Sequence, residues 1–239
     1  YQFFDSHLGV KESAEKALTR KVVECANHGK HGLAIGGGDW LDCVTSKDWR
    51  WKTNGIADWV EKSNIVDSQR RRAQEIYSPL VEQRQLICIG TGNHEEEIHK
   101  RHDDDVIRNL CRDMKVPYAG YSSYIVLKFI RAKRVTHTLV IHSWHGAGSA
   151  QSEGARLMRL VRFVNDIQAD IYLMGHLHAM TSHTPDRLVC KDGRIRSVKL
   201  AATICGSWLK TYNQANEDET QDPTYGEEKG YKPSRIGMP

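Results

Sequence analysis

Five short apolar runs in this 239-residue sequence each end in a cluster of aspartate, asparagine or histidine residues. The carboxyl ends of strands in an α/β sheet open onto one crevice, so clusters that are distant in the sequence can meet there. Residues i and i+2 of an extended chain point the same way, so a D-x-H or H-x-H spacing aims two side chains at one point. The sequence therefore predicts one polar site from the clusters at residues 5–7, 38–42, 92–95, 142–146 and 175–178.

The apolar runs alternate with stretches of helical spacing, which is typical of an α/β protein. They predict strands at residues 1–4, 32–35, 85–89, 169–174 and 199–204, helices at 11–28 and 152–166, and hairpins at 124–141 and 187–198. Because the hairpins add antiparallel strands, we expect an α/β fold of two mixed β-sheets packed as a sandwich flanked by helices. A single domain is expected over residues 1–239, with a helical insertion at about 48–84 and a polar C-terminal tail at about 213–239.

The composition indicates which partners and which cellular compartment the protein can have. The 34 Lys+Arg and 30 Asp+Glu residues leave a formal charge of +4, which allows a polyanionic partner without requiring one. The six cysteines form no C-x-x-C pair, which favours a reducing compartment. No apolar run reaches the ~20 residues of a membrane helix. We therefore expect a soluble, cytoplasmic protein with no membrane partner, and the sequence leaves formation of a homo-oligomer open.

The candidate ligands in the five clusters are carboxylates, imidazoles and an amide oxygen, without thiolates. This donor set suits Mn best among divalent ions, with Fe, Zn and Ni as alternatives. Two such ions ~3.5–4 Å apart can clamp a phosphoryl group and lower the pKa of a shared water. The pair needs a bridging carboxylate. Asp39 is the natural candidate, because the glycines that precede it let the backbone pass close to the ions.

In their order along the chain, the five clusters resemble those of the calcineurin-like metallophosphoesterases, and the likeness extends over residues 5–178. The resemblance implies a four-layer α/β/β/α sandwich that hydrolyses a phosphoric ester with a hydroxide shared by two divalent metal ions. It implies that the first ion is held by Asp5, His7, Asp39 and His178, and the second by Asp39, Asn93, His176 and a histidine of residues 142–146. His94 would be the general acid that protonates the leaving oxygen.

Two histidines compete for the last ligand position. His142 directly ends an apolar run, as a ligand at a strand end should. His145 is followed by a glycine, as the ligand histidine is in many family members, and residues 145–149 resemble a Gly-rich variant of phage-type members. The sequence slightly favours His145, and both residues stay candidates. Asp42, next in the Asp39 cluster, is expected to hold a ligand by a hydrogen bond.

The second cluster departs from the pattern of the family's protein Ser/Thr phosphatases. There it usually continues into Asp-Arg-Gly, whose arginine grips a terminal phosphate. Here it reads Asp42-Cys43-Val44, which favours a phosphodiester with a single negative charge. We expect a phosphodiesterase or nuclease, with DNA or RNA as candidate partners and Arg101 as a candidate substrate-binding residue. The alternatives are a phosphomonoesterase acting on a small metabolite or a protein, and a non-catalytic binding module on the same fold.

Several aromatic residues are candidates for stacking on nucleic-acid bases, although packing is the commoner reason for such residues. They are Trp49, Trp51, Trp59, Trp208, Tyr212, Tyr225 and Tyr231.

Overall fold

A computed structural model describes residues 1–48, 50–52, 54–213 and 223–239, apart from the side chain of Lys191. These residues contain six α-helices: α1 (Glu15–Asn27), α2 (Ile65–Glu82), α3 (Asn93–His102), α4 (Val106–Met114), α5 (Glu153–Asp166) and α6 (Tyr225–Glu228). The strands are β1 (Gln2–Phe3), β2 (Ala34–Gly36), β3 (Leu86–Gly90), β4 (Tyr118–Gly120), β5 (Ser122–Arg131), β6 (Arg134–Trp144), β7 (Ile171–Met174), β8 (Met180–His183), β9 (Asp186–Lys191), β10 (Arg194–Lys199) and β11 (Ala201–Cys205). The protein is therefore mixed α/β with several sheets.

One sheet contains the first four strands in the order β1-β2-β3-β4. All of its pairs are parallel, so the expectation that both sheets are mixed is wrong. Parallel neighbours need a crossover connection, and the helices provide it: α1 joins β1 to β2, α2 joins β2 to β3, and α3 and α4 join β3 to β4. The loops that follow β1, β2 and β3 therefore begin at the same edge of the sheet.

The second sheet is mixed and has the order β5-β6-β7-β11-β8. Its β5–β6 and β8–β11 pairs are antiparallel, whereas β6–β7 and β7–β11 are parallel. A separate hairpin pairs β9 with β10. It turns at Asp192 and Gly193 with φ of 53° and 71°, which confirms the two-residue turn predicted from that dipeptide.

Three apolar clusters surround and join the sheets. Phe3 of the first sheet packs in one cluster with Val22 of α1, Tyr77 of α2 and Leu110 of α4. A second cluster includes Phe163 of α5 and side chains of β7 and β11. The third unites side chains of β2 and β3 with others of β5, β6, β7 and β11, so the two sheets share buried surface. This arrangement is compatible with an α/β sandwich.

Some predicted elements differ from the observed ones. The insertion at 48–84 is helical only from Ile65 to Glu82, and its earlier described residues form turns. Helix α3 was not predicted because it is mostly charged. Helix α4 was not predicted although its buried apolar residues recur at helical spacing, so an available signal was missed; they are Val106, Ile107, Leu110, Cys111 and Met114. Trp49, Thr53 and residues 214–222 of the predicted tail lie outside the described residues. Among the described helices, none is both long and apolar enough to cross a lipid bilayer.

Candidate metal centre

The predicted ligands lie in loops after the strands, and several of them adopt the left-handed backbone region. The φ angles of Asp5, His7, Asp39, His176 and His178 are 50°, 44°, 53°, 67° and 45°. The expectation that Asp5 and His7 align because the chain is extended is therefore wrong, and the same holds for His176 and His178. Non-glycine residues in this region cost about 1–3 kcal/mol each, and such strain concentrates at functional sites.

The loop that carries Asp39 is anchored by its neighbour Trp40. The indole is buried, its Nε1 donates to the Phe3 carbonyl at 2.9 Å, and its ring stacks on Tyr77 with centroids 3.9 Å apart. Because the indole is fixed in the core between the first sheet and α2, the adjacent carboxylate has a defined position.

Glu95 fixes the same loop from the other side, a role that the sequence analysis missed. Its buried carboxylate accepts backbone N–H groups of Asp39 at 3.1 Å, Leu41 at 3.0 Å and Gly92 at 2.9 Å. Burial and the charge of Asp39 raise the pKa of Glu95, and the N–H donors of Leu41 and Gly92 oppose that rise. The available signal was the glutamate three residues after Gly92, which is the spacing of a helix capping box.

Asp5, His7 and His178 form the first group of candidate ligands, with one ligand atom of each within 4.8 Å of the others. The Nε2 atoms of His7 and His178 are 3.1 Å apart, and His178 Nε2 lies 3.3 Å from Asp5 Oδ1. His7 Nδ1 lies 3.3 Å from Asp42 Oδ1, so it donates to that carboxylate and leaves the Nε2 lone pair facing the group. Burial lowers the pKa of His7, which favours this neutral ring. The hydrogen bond expected between Asp42 and a candidate ligand is therefore present.

Asp39, Asn93, His145 and His176 form the second group. His145 Nε2 lies 3.2 Å from Asp39 Oδ2 and 3.1 Å from Asn93 Oδ1, and Asn93 Oδ1 lies 2.8 Å from His176 Nδ1. Burial lowers the pKa of His145, but the charge of Asp39 outweighs it and raises that pKa to about 9. Four polar atoms from four separate segments, which follow β2, β3, β6 and β7, thus converge around one point.

The neutral ring of His176 places a lone pair inside the second group. Its Nε2 donates to the Gly148 carbonyl at 2.9 Å, so in the neutral ring Nδ1 carries a lone pair. Burial and the neighbouring His145 lower the pKa of His176, which disfavours a second proton. The lone pair on Nδ1 therefore faces the carbonyl oxygen of Asn93 at 2.8 Å. Two acceptors at this distance repel each other, and a cation between them would turn the repulsion into binding.

Asp39 joins the two groups. Its Oδ2 lies 3.2 Å from His145 Nε2 and 3.9 Å from His7 Nε2, while its Oδ1 accepts the backbone N–H of His94 at 2.9 Å. Burial alone would raise the pKa of Asp39, but His145 and His94 hold it well below its usual range, so the carboxylate is ionised. A Cβ at position 92 would overlap Asp39, so Gly92 permits this close approach.

His142 does not belong to this cluster, which corrects its candidacy as a ligand. Strand β6 extends past the predicted end at residue 141 to Trp144, so His142 lies inside the strand. There it faces away from the sheet interface: its ring lies 5.1 Å from that of Phe163 on α5, and its Nε2 contacts Ser122 Oγ at 3.1 Å. Of the two competing histidines, the structure brings His145 to the other ligands.

His94 borders the cluster at the first turn of α3. Its Nδ1 donates to the Asp42 carbonyl at 2.6 Å, and its ring centroid is 4.6 Å from that of His7. Burial lowers the pKa of His94, but the carboxylates of Asp39 and Asp42 raise it to about 9 overall. One of its ring nitrogens also lies within 4.8 Å of ligand atoms of His7 and Asp39, so the ring could reach a cation as well.

Arg50, which the sequence analysis did not select, contacts the other nitrogen of His94. Its Nη1 donates to His94 Nε2 at 2.8 Å, and Asp48 holds the same guanidinium through contacts of 2.9 and 2.7 Å. The contact with Arg50 needs a lone pair on Nε2, so the ring is neutral in this arrangement. Protonation, which the carboxylates favour, therefore requires Arg50 to move away from Nε2.

Arg101 does not reach the cluster, which corrects its candidacy as a substrate-binding residue. It lies eight positions after Asn93 on α3, about 12 Å along the helix axis at ~1.5 Å per residue. Its side chain is 49% exposed and pairs with Glu97.

No protein-family model matches the chain, and the comparison with curated proteins finds no match. The assignment of a function therefore depends on the geometry of the cluster.

A cavity of about 330 Å³ opens beside the first group. His7, His94 and His178 line it on one side, and residues of the C-terminal segment, among them Tyr225 and Tyr231, line it on another. The cluster can therefore be reached by a small molecule from this cavity.

Proposed function

We propose that the protein is a calcineurin-like metallophosphoesterase that hydrolyses phosphodiesters with two divalent cations, Mn above all. The observation that carries the proposal is the position of Asp39, whose Oδ2 lies between His145 at 3.2 Å and His7 at 3.9 Å. A buried, ionised carboxylate between two groups of imidazole, carboxylate and amide donors is what a pair of bridged cations requires.

The residues present fit such a pair. Each group offers carboxylate oxygens and imidazole nitrogens, and the second also offers the Asn93 amide oxygen. The lone pair of His176 Nδ1 and that oxygen face each other at 2.8 Å, which is unfavourable unless a cation lies nearby. Hydrogen bonds from His7 to Asp42 and from His176 to Gly148 orient both rings with a lone pair towards the centre.

When bound, the cations would neutralise the phosphoryl oxygens and lower the pKa of a water that attacks phosphorus. The chain's own residues position and protonate the substrate. His94 borders both the centre and the cavity, and the Asp42 carbonyl fixes its ring through Nδ1. The two carboxylates that raise its pKa to about 9 favour the protonated ring. Nε2 then gives its proton to the leaving oxygen, after Arg50 has moved towards the substrate.

A diester is favoured over a monoester because Arg50 is the cation beside His94, and Asp48 already neutralises it. Its guanidinium makes two contacts with the Asp48 carboxylate, which leaves Nη1 as the group that points to the site. A dianionic monoester would benefit from an unpaired bidentate arginine. A diester has one negative charge and needs less neutralisation.

The wider arrangement supports the proposal. The shared apolar cluster between the sheets, with α1, α2 and α4 packed on the first sheet and α5 on the second, fits the four-layer α/β/β/α architecture of the family. All six cysteines are free thiols, which fits a reducing, cytoplasmic setting.

Hydrolysis of bis(p-nitrophenyl) phosphate by the metal-stripped protein, before and after addition of Mn²⁺, tests the proposal. We expect turnover only with the ion, and faster turnover of this diester than of p-nitrophenyl phosphate. Labelled single-stranded and double-stranded DNA and RNA in the same assay distinguish a nuclease from an enzyme of small diesters. Failure of Mn²⁺, Fe²⁺, Zn²⁺ and Ni²⁺ alike to produce turnover of either aryl ester would contradict the enzymatic proposal.

A further inference from the structure

The cavity beside the candidate metal centre has the size of a site for one small ligand. Its volume of about 330 Å³ lies at the lower end of the ~300–1,000 Å³ typical of such sites. It contacts the centre through His7, His94 and His178. A group attached to a phosphate at the centre would therefore extend into this cavity.

Aromatic side chains from separate parts of the chain line the cavity. Trp51 comes from the turns before α2, and Tyr225 and Tyr231 come from the C-terminal segment. The tyrosine rings contact each other edge to face with centroids 5.8 Å apart, and each residue is 38% exposed. Lys229 Nζ lies over the Tyr225 ring, 5.8 Å from its centroid. Because both tyrosines line the cavity and are partly exposed, their remaining ring surface offers a face on which a planar group can stack.

Cationic side chains line the same cavity. Arg50, Lys52 and Lys210 are among its residues, with Glu12 and Asp42 as acidic neighbours. The combination of aromatic faces with cations next to a phosphate-binding centre matches the parts of a nucleotide: a planar base, a polar sugar and an anionic phosphate.

The C-terminal wall of the cavity is firmly attached. Lys52 pairs with Glu228 of α6 at 2.6 Å, and Thr224 Oγ1 donates to the Thr211 carbonyl at 2.6 Å. A Cβ at position 226 would overlap the Thr211 backbone, so Gly226 lets α6 pack directly on that segment. With this wall in place the cavity has a volume of about 330 Å³, the size of a site for one small ligand, whereas a long single strand needs a continuous open groove.

We propose that this cavity binds a single nucleoside, so that the preferred substrate carries a nucleoside directly on the scissile phosphate, as in a small nucleotide diester or a chain end. The inference rests on the proposed function. It adds that one base is recognised by stacking on Tyr225 and its neighbours, and that the interior of a polynucleotide is a poor substrate.

Binding of adenosine 5′-monophosphate and ribose 5-phosphate to the Mn²⁺-loaded protein tests the inference, with calorimetry as the readout. The two probes share the sugar phosphate and differ by the base. We expect the nucleotide to bind at least about fivefold more tightly, the lower end of what one stacked base contributes. The variant Tyr225→Ala should remove most of that difference, and Tyr225→Phe, which keeps the ring, should retain it.

Tyr124→Ala is the matched control, because Tyr124 is 55% exposed on β5 and contacts His142 away from the cavity. It should leave the preference for the nucleotide unchanged. Tyr231→Ala provides a second cavity variant if Tyr225→Ala does not fold. Equal affinity for the two probes in the unmodified protein overturns the inference, and diester hydrolysis in the same preparation would show that the proposed function stands without it. Base-selective binding without hydrolysis would support the nucleoside site in the cavity and contradict the proposed enzymatic function.

Discussion

Replacement of His94 by alanine separates proton donation from metal binding. The substitution removes the imidazole, which lies between the Asp42 carbonyl at 2.6 Å and Arg50 Nη1 at 2.8 Å. It keeps the backbone N–H that donates to Asp39 Oδ1 at 2.9 Å, and alanine is a good helix former in the first turn of α3. We therefore expect His94→Ala to retain both its fold and its metal.

The size of the effect follows from how firmly the ring is held. A positioned general acid typically contributes ~10²–10⁴-fold, or about 2.7–5.4 kcal/mol at ~1.36 kcal/mol per factor of ten. Because the Asp42 carbonyl holds Nδ1 of His94 and only 14% of its side chain is exposed, we expect a loss near ~10³-fold for a diester with an alkyl leaving group. An aryl group such as p-nitrophenol leaves as its anion and does not need a proton. The kcat/KM for a diester with this leaving group should therefore fall less than about tenfold.

The assay compares kcat/KM for methyl p-nitrophenyl phosphate with that for a dialkyl phosphate of the same charge, at fixed Mn²⁺. His99→Ala is the matched control, because His99 lies on the same helix and is 45% exposed. This control should change kcat/KM for neither substrate by more than twofold. If His94→Ala lowers kcat/KM equally for both substrates, or if it loses bound Mn²⁺, the role of His94 as an acid is refuted.

Three further substitutions test the centre and its supports. Asp39→Asn should lower bound Mn²⁺ from two ions per chain to one or none and reduce diester hydrolysis at least ~10³-fold, with an unchanged circular dichroism spectrum; full metal content would argue against a bridging role. His145→Ala should weaken Mn²⁺ binding in calorimetry, whereas His142→Ala should not, and the reverse would favour His142 as the ligand. Glu95→Ala leaves three buried backbone N–H groups without their acceptor, so urea unfolding should show a loss of about 3 kcal/mol, and a loss below ~1 kcal/mol would contradict its supporting role.

Much of the architecture could be predicted because apolar runs and turn residues report local structure directly. The β9–β10 hairpin about Asp192 and Gly193 is one example, and the helix at 153–166 is another. The parallel character of the first sheet was missed, because the sequence does not show which strands become neighbours. Helix α3 was missed because charged residues cover most of it, and its stability depends on the hydrogen bond from the Gly92 N–H to Glu95 and on Ile98 in the core.

The site itself was only partly predictable. Strand-end clusters locate Asp39 and His176, but the sequence favours His145 over His142 only slightly, because the choice depends on where β6 ends and which face each residue takes. Arg50 lies in an irregular stretch without a periodic signal, and only the folded chain brings it to His94. Long-range contacts of this kind leave no local pattern.

Anomalous diffraction from a Mn²⁺-soaked crystal tests the central claim most directly. The account predicts two peaks ~3.5–4 Å apart with Asp39 Oδ2 between them, one contacting His7 and His178 and the other Asn93 and His176. A single peak away from Asp39, or no peak at saturating Mn²⁺, would contradict a bridged pair of cations.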